Sequence, residues 1–195
     1  MEKTLVIVKP DGVQRNLIGE VISRLEQSGL KMVAAKMLQP DEKLIEKHYS
    51  IDPDWFRLCG EKNINSYKKR GLTPPSEDPI EVGKMVLQKL KQYLTFCPVV
   101  AMIWEGSSAV ELVRKIAGGT EPLGAAPMGT IRGDFCLESY QLADSTERAI
   151  RNLVHASGSA SEAEKEISLW FDNKEILDYK LVRDTVIYDK KWNIG

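Results

Sequence analysis

The sequence predicts an α/β sandwich, with helices on one face of a mainly antiparallel four-stranded sheet, from three observations. Four short apolar runs are separated by segments whose apolar residues recur at helical spacing, in the order β-α-β-α-α-β-α-β-α. Neither G-x-G-x-x-G nor G-x-x-x-x-G-K-[ST] occurs, which argues against a doubly wound parallel sheet. A hydrophobic fraction of 43% over 195 residues is enough for a substantial core. Residues 1–195 are therefore expected to form a single domain, with insertions at about 50–82 and 138–150 and a C-terminal extension.

Thr4 to Val8 is a β-branched run stopped by Lys9-Pro10-Asp11-Gly12, a buried strand that delivers Lys9 into a turn. Ile18, Val21, Ile22 and Leu25 follow helical spacing up to a stop at Gly29. Leu30 to Leu38 reads as a strand, and Pro40-Asp41 opens a helix carrying Leu44, Ile45, His48 and Tyr49. Ser50 to Glu81, punctuated by prolines, is expected to be an irregular surface insertion with room for one short helix. Its Lys68-Lys69-Arg70 triplet is read as a solvated face. Val82, Met85, Val86, Leu90 and Leu94 resume helical spacing, and Pro98 to Trp104 is apolar enough for a central strand.

Ser108 and Glu111 suggest a capping box for a helix carrying Val110, Val113, Arg114 and Ile116, stopped by Gly118-Gly119. Thr120 to Met128 reads as a loop, and Thr130 to Asp134 leaves it carrying Arg132. A turn of helix is expected after Asp144, and Asn152 to His155 is the last strand. Ser161 with Glu164 suggests the cap of a helix whose core face is Ala163, Ile167 and Trp170. Asp172 with Glu175 repeats that pattern for a short helix to Tyr179, before an extended tail to Gly195.

A net charge of -1 and a pI near 6.2 leave no basic field for a nucleic-acid surface. Any phosphate must be held by a few placed cations. Three dispersed cysteines and two histidines argue against a disulfide framework and a structural zinc site. With no signal-like or membrane-length run, a cytoplasmic protein is expected.

The chemistry gathers at the ends of these elements, in Lys9, Tyr49, Arg114, Thr120, Arg132, Asn152, His155, Ser157 and Glu166. Unpaired imidazole titrates near 6.5, so His155 at a strand end can act as a nucleophile near neutral pH. Glu166, about three turns up the following helix, can orient it, and Ser157 offers a nearer hydroxyl. Three permanent cations around one imidazole suit a polyphosphate, although each arginine is equally fit for a surface ion pair. His48, beside Tyr49 on a helix, is read as structural.

At these residues the chain resembles the nucleoside diphosphate kinases. The matching signatures are Val8-Lys9-Pro10-Asp11-Gly12-Val13-Gln14-Arg15, Gly129-Thr130-Ile131-Arg132-Gly133-Asp134-Phe135 and Asn152-Leu153-Val154-His155-Ala156-Ser157, with Glu162 to Ile167 and Pro98 to Gly106 in support. The resemblance implies a ferredoxin-like β-α-β-β-α-β core and a ping-pong transfer of the γ-phosphate of a nucleoside triphosphate, through His155, to a nucleoside diphosphate. It also implies Mg²⁺, no resident metal ligand, and a homo-oligomer, with a hexamer ahead of a tetramer or dimer. Lys9, Tyr49, Arg114, Thr120, Arg132 and Asn152 fall at phosphate and ribose contacts, and Ser157 and Glu166 at the positions that hold the imidazole.

Three departures stand out. Val86, with Leu90 beside it, falls where the family stacks a phenylalanine on the base, and Trp55 or Phe56 is a candidate replacement. Gly158 replaces an acidic residue, and both insertions lengthen the usual chain. A nucleotide-binding regulatory module and a protein histidine phosphocarrier are the alternatives to the enzyme.

Overall fold

The computed structural model describes residues 1–190, and their frame is a sheet of strand order β2-β3-β1-β4. Its strands are β1 (Glu2–Val8), β2 (Lys31–Leu38), β3 (Val99–Gly106) and β4 (Val154–Ala156). Every pairing is antiparallel; β1 meets β3 from Glu2 opposite Gly106 to Val8 opposite Val100, and its other side carries β4, with Ile7 opposite His155. β1 and β2 thus run parallel with β3 between them, the split β-α-β connection of ferredoxin-like sandwiches.

Helices cover both faces of this sheet rather than one. α2 (Ile18–Gln27) and α6 (Ala109–Ala117) pack with Val6, Val8, Met102 and Trp104. α3 (Glu42–Tyr49), the end of α5 (Pro79–Leu94) and α10 (Ala160–Trp170) pack with Leu5, Ile7, Ala101 and Ile103. The reason lies in β1 and β3, whose apolar residues are consecutive and not alternating, so neither side can face water.

Several boundaries differ from expectation, each for a local reason. The turn after Lys9 is a short helix, α1 (Pro10–Gln14), because proline at N1 already has a helical φ. Ser108 sits at φ 49° and caps nothing with its side chain; Glu2 Oε2 instead accepts the N–H of Val110 at 2.9 Å. The α10 cap is Ser159, whose hydroxyl accepts from the N–H of Glu162 at 3.2 Å, and not Ser161. One helical turn, α7 (Pro122–Ala125), interrupts the loop after Thr120, and α8 (Ile131–Phe135) carries Arg132. α9 (Tyr140–Ser145) contains Asp144 instead of following it. The Asp172–Glu175 box is present, but it caps a 3-10 turn ending at Glu175 and not a helix to Tyr179. The tail contains α11 (Asp184–Tyr188), and its last five residues lie outside the described residues.

The larger correction is the first insertion, which is a 15-residue helix, α4 (Trp55–Lys69), lying against α5. Two glycines set the approach: a Cβ on Gly60 would stand 1.8 Å from the carbonyl oxygen of Pro79, and one on Gly83 2.2 Å from that of Phe56. Only Gly60 and Ile64 of α4 are fully buried, so it lacks the apolar stripe that announces a helix. The basic triplet is partly paired, Lys68 with Glu77 at 2.7 Å and Arg70 with Asp144 at 2.5 Å. At the C-terminal end, residues 175–183 run along the outer edge of β2. There the N–H of Leu177 donates to the carbonyl of Val33 at 2.9 Å, and the hydroxyl of Tyr179 to that of Met32 at 2.6 Å.

Candidate active site

β4 begins at Val154 and not at Asn152, because Leu153 takes a left-handed φ of 64°. A leucine rarely tolerates that conformation, and here it is held from both ends. The N–H of Leu153 donates to Asp11 Oδ2 at 3.1 Å, and its carbonyl accepts from the N–H of Lys9 at 2.7 Å. The tyrosine hydroxyl of Tyr93, on α5, donates to the other oxygen of Asp11. The bend turns Asn152 sideways, so that its Oδ1 accepts from Lys9 Nζ at 2.7 Å and its Nδ2 donates to the carbonyl of Thr120 at 2.8 Å. Lys9, Thr120 and Asn152 are brought together as expected.

Arg132 serves the backbone first. Its Nε, Nη1 and Nη2 donate to the carbonyls of Asn152, Gly118 and Val154 at 3.1, 2.6 and 2.7 Å. Three of the five guanidinium donors are thereby used, and the group is a fastener for the bend as well as a cation. Burial above all, then Arg114, lowers it to about 10. Burial, then Arg132, likewise lowers Lys9 to about 7, against the pull of Asp11. Arg114 is different: it is exposed on α6, with no ion-pair partner among the described residues, yet its charge reaches His155.

His155 lies in β4 with its Nε2 at 2.9 Å from Glu166 Oε1 and 3.0 Å from Oε2. Glu166 is buried on α10, and its Oε2 also accepts the hydroxyl of Ser157 at 2.6 Å, while Ser157 Oγ accepts the N–H of Leu5 at 3.1 Å. Burial first, then Lys9, Arg132 and Arg114, holds the imidazole well below its ordinary pKa, so His155 is neutral near pH 7. A neutral ring donating from Nε2 to a carboxylate keeps its lone pair on Nδ1.

His48 is structural, as read, and the structure adds that it packs directly on His155. Its ring centre is 4.5 Å from that of His155 at 78°, and its Nδ1 accepts the indole N–H of Trp170 at 3.2 Å. Burial above all, with the His155 ring beside it, lowers it to about 3. Being uncharged, with its Nδ1 taken by Trp170, it makes a packing contact and not an ion pair with Glu166 Oε1, 3.6 Å away. A cavity of about 10 Å³ remains among Lys9, His48, Tyr49, His155 and Trp170. The signal in the sequence was a histidine on the buried stripe of α3, next to Tyr49; what it lacked was any sign that Trp170 would face it.

Tyr49 ends α3 with its ring 4.8 Å from His48 and 5.1 Å from Trp55, and burial raises its phenol above the usual value. Val86 and Leu90 lie on α5, Val86 half-buried and Leu90 buried, and neither lines the cavity beside His155. Trp55 stands closer to the cluster through Tyr49, and Phe56 packs its backbone on Gly83, one turn before Val86.

A neutral, oriented imidazole ringed by cations is the chemistry of phosphoryl transfer through histidine. The family model described as nucleoside diphosphate kinase matches residues 2–55 and 80–176. A nucleoside diphosphate kinase of Pyrobaculum aerophilum is 46% identical over 182 residues, covering 91% of this chain and 99% of its own. A crystal structure of an NDP kinase from that organism superposes with a TM-score of 0.87 at 45% identity, covering 91% and 99% of the two chains. The enzyme of Borrelia burgdorferi, solved as a transition-state mimic with bound vanadate and ADP, gives 0.78 at 40% identity, over 96% and 97%. The chain belongs to the nucleoside diphosphate kinase family, a family of phosphotransferases.

Proposed function

We propose that the chain exchanges the γ-phosphate between nucleoside triphosphates and diphosphates through Nδ1 of His155. The observation that carries the reading is the Nε2–Glu166 hydrogen bond, which commits the ring's proton and frees Nδ1. In the first half-reaction the Nδ1 lone pair forms a bond to Pγ, the bond from Pγ to the bridging oxygen breaks, and the diphosphate leaves with that oxygen's electrons. In the second, a terminal oxygen of another diphosphate attacks the phosphohistidine and restores the free ring. Lys9, Arg114 and the remaining donors of Arg132 stabilise charge on the transferring phosphoryl, and Asn152, Thr120 and Tyr49 position the phosphates and ribose. Glu166 and Ser157 fix the ring, and Val86, Leu90 and Trp55 flank the base.

Mg²⁺ belongs to this reading as part of the substrate. Among the described residues the one cluster of metal-type ligands is His48, His155 and Glu166, nitrogen-rich, buried and internally hydrogen-bonded, whereas Mg²⁺ prefers oxygen and retained water. The cation therefore enters on the nucleotide's own phosphates. Exposed Leu123, Met128 and Leu137, on one stretch between α6 and α9, support assembly into a homo-oligomer, a hexamer before a tetramer or dimer. No helix among the described residues is long and apolar enough to cross a membrane, and three free cysteines suit a cytoplasmic home. The deciding experiment incubates the protein with γ-labelled ATP. An acid-labile, base-stable label discharged by GDP is the expected result, and a chain that binds nucleotide without acquiring it is a binding module.

A further inference from the structure

One peptide unit, the one joining Asn152 to Leu153, sets how the chain enters β4, and it is gripped from both sides. Its N–H donates to Asp11 Oδ2 at 3.1 Å, while its carbonyl accepts from Arg132 Nε at 3.1 Å and from the N–H of Val154 at 2.7 Å. The last bond spans two residues and, with φ 64° at Leu153 between them, closes a γ-turn of the rare, strained hand. Turning the peptide over would relax the leucine. It would also take the Asn152 carbonyl off Arg132 and undo the turn that brings His155 into register opposite Ile7. A glycine would adopt this conformation freely, but the core needs a side chain here: Leu153 is fully buried with Val8, Ile131 and Val154. An outside group must therefore hold the bend.

Asp11 is that group, and it is itself held. Tyr93 donates its hydroxyl to Oδ1 while Oδ2 accepts from Leu153, so both oxygens are engaged and the carboxylate cannot rotate off the leucine. Tyr93 stands one residue before the end of α5, packed on the core that includes Ile7 and Leu94. The turn carrying Asp11 is pressed against the bend, since a Cβ on Gly12 would stand 3.2 Å from the Leu153 carbonyl oxygen. Neither Asp11 nor Tyr93 lines the cavity beside His155, and the side-chain oxygens of both are committed to protein.

We propose that Asp11, locked by the Tyr93 hydroxyl, is a positioning residue for phosphoryl transfer, holding the Asn152–Leu153 peptide in the orientation that aims His155. This rests on the nucleotide-exchange reading above. Asp11 touches no reacting atom and acts through one backbone N–H. Its charge also favours the protonated form of Lys9, an effect that the choice of variants separates from the first.

The test times phosphohistidine formation from saturating ATP by quenched flow and measures ADP affinity separately. Both use the full chain, well below the melting temperature of every variant. Asp11→Ala is expected to form phosphohistidine about 30-fold slower, within what a misplacement of about 1 Å produces, with ADP affinity within about threefold of wild type. Asp11→Asn keeps an acceptor for Leu153 and a partner for Tyr93 but drops the charge, and its rate should return to within about threefold of wild type. Tyr93→Phe leaves the carboxylate free to turn and should slow the same step about fivefold. A folded Asp11→Ala with the wild-type rate overturns the proposal. So does a loss that Asp11→Asn shares in full, which assigns the effect to charge on Lys9. Rate and affinity falling in the same proportion also overturn it, since that is the mark of a protein that is only less folded. If Asp11→Ala does not fold, Tyr93→Phe decides, and a wild-type rate there overturns the proposal. Failure of the exchange reading shows separately, as wild-type protein that takes no label on histidine.

Discussion

Around His155 the polar groups are held by buried partners: Arg132 by three carbonyls, Asn152 by Lys9 and Thr120, Glu166 by the ring and Ser157. Around Trp55 the contacts are ring against ring, with an ion pair closing the far side. The reacting end is thus fixed in advance, which is where fixed dipoles lower a barrier. The end at Trp55, where the proposed function puts the nucleoside, is built from ring faces, which would accept many shapes.

The sharpest break in that contrast is His155→Ala, expected to abolish exchange while nucleotide binding, followed by fluorescence, survives; exchange near the wild-type rate would sink the mechanism. Next come the two arginines, which the structure separates. Arg132→Ala loses three charged hydrogen bonds of about 1.5 to 3 kcal/mol each at most. Its melting temperature should therefore fall along with its activity. Arg114→Ala should melt like the wild type and lose affinity for diphosphates more than for monophosphates. Equal melting of the two variants would place Arg132 among ordinary surface cations.

Acid should weaken the rigid end specifically. His48 titrates near 6.5 unfolded and about 3 folded, so the unfolded chain binds more protons between those values. Stability due to this group therefore falls as pH drops from 6.5 towards 3, by about 2 kcal/mol at pH 5. Denaturant midpoints at pH 7 and pH 5 measure it, and His48→Asn should shrink the difference. Lys9 works in the opposite range: lowered to about 7 when free, it should take up a proton at pH 8 when a diphosphate raises its pKa again. Calorimetry in two buffers of different ionisation enthalpy counts that proton; a count of zero removes Lys9 from the phosphate site.

The smallest effect belongs to the adaptable end. A stacked ring contributes about 1 to 3 kcal/mol. Trp55→Ala should therefore raise KM for the adenine, guanine, cytosine and uracil diphosphates together, their specificity constants staying within about tenfold, or about 1.4 kcal/mol. A strong preference for one base would mean that the insertions read base edges.

The rigid end was the legible one. Lys9, Asn152, Arg132 and His155 stand at or beside strand and helix ends marked by proline, glycine and capping residues, and Glu166 at a fixed count along the helix that follows, so local chemistry gives their places. Leu153 carried no such mark, because its left-handed φ is imposed by Asp11 and Lys9 from the far end of the chain. His48 was hidden for the same reason, since only packing brings Trp170 to it. α4 was illegible because its contact with α5 rests on two glycines, which carry no hydrophobic signal.

The strip of residues 175–183 on the outer edge of β2 gives the fold a timetable. Met32 waits for Tyr179, 147 positions later, and at about 5 to 20 residues per second that is roughly 7 to 30 seconds of synthesis. Until then a nascent chain with β1, β2 and β3 in hand presents an open strand edge, the surface on which unfinished chains stick to one another. β1 waits just as long for β4 on its other side. β4 with His155 and the edge cover both follow the other three strands, so the histidine joins its cluster only about 150 residues after β1 is made, near the point where the outer edge of β2 is covered.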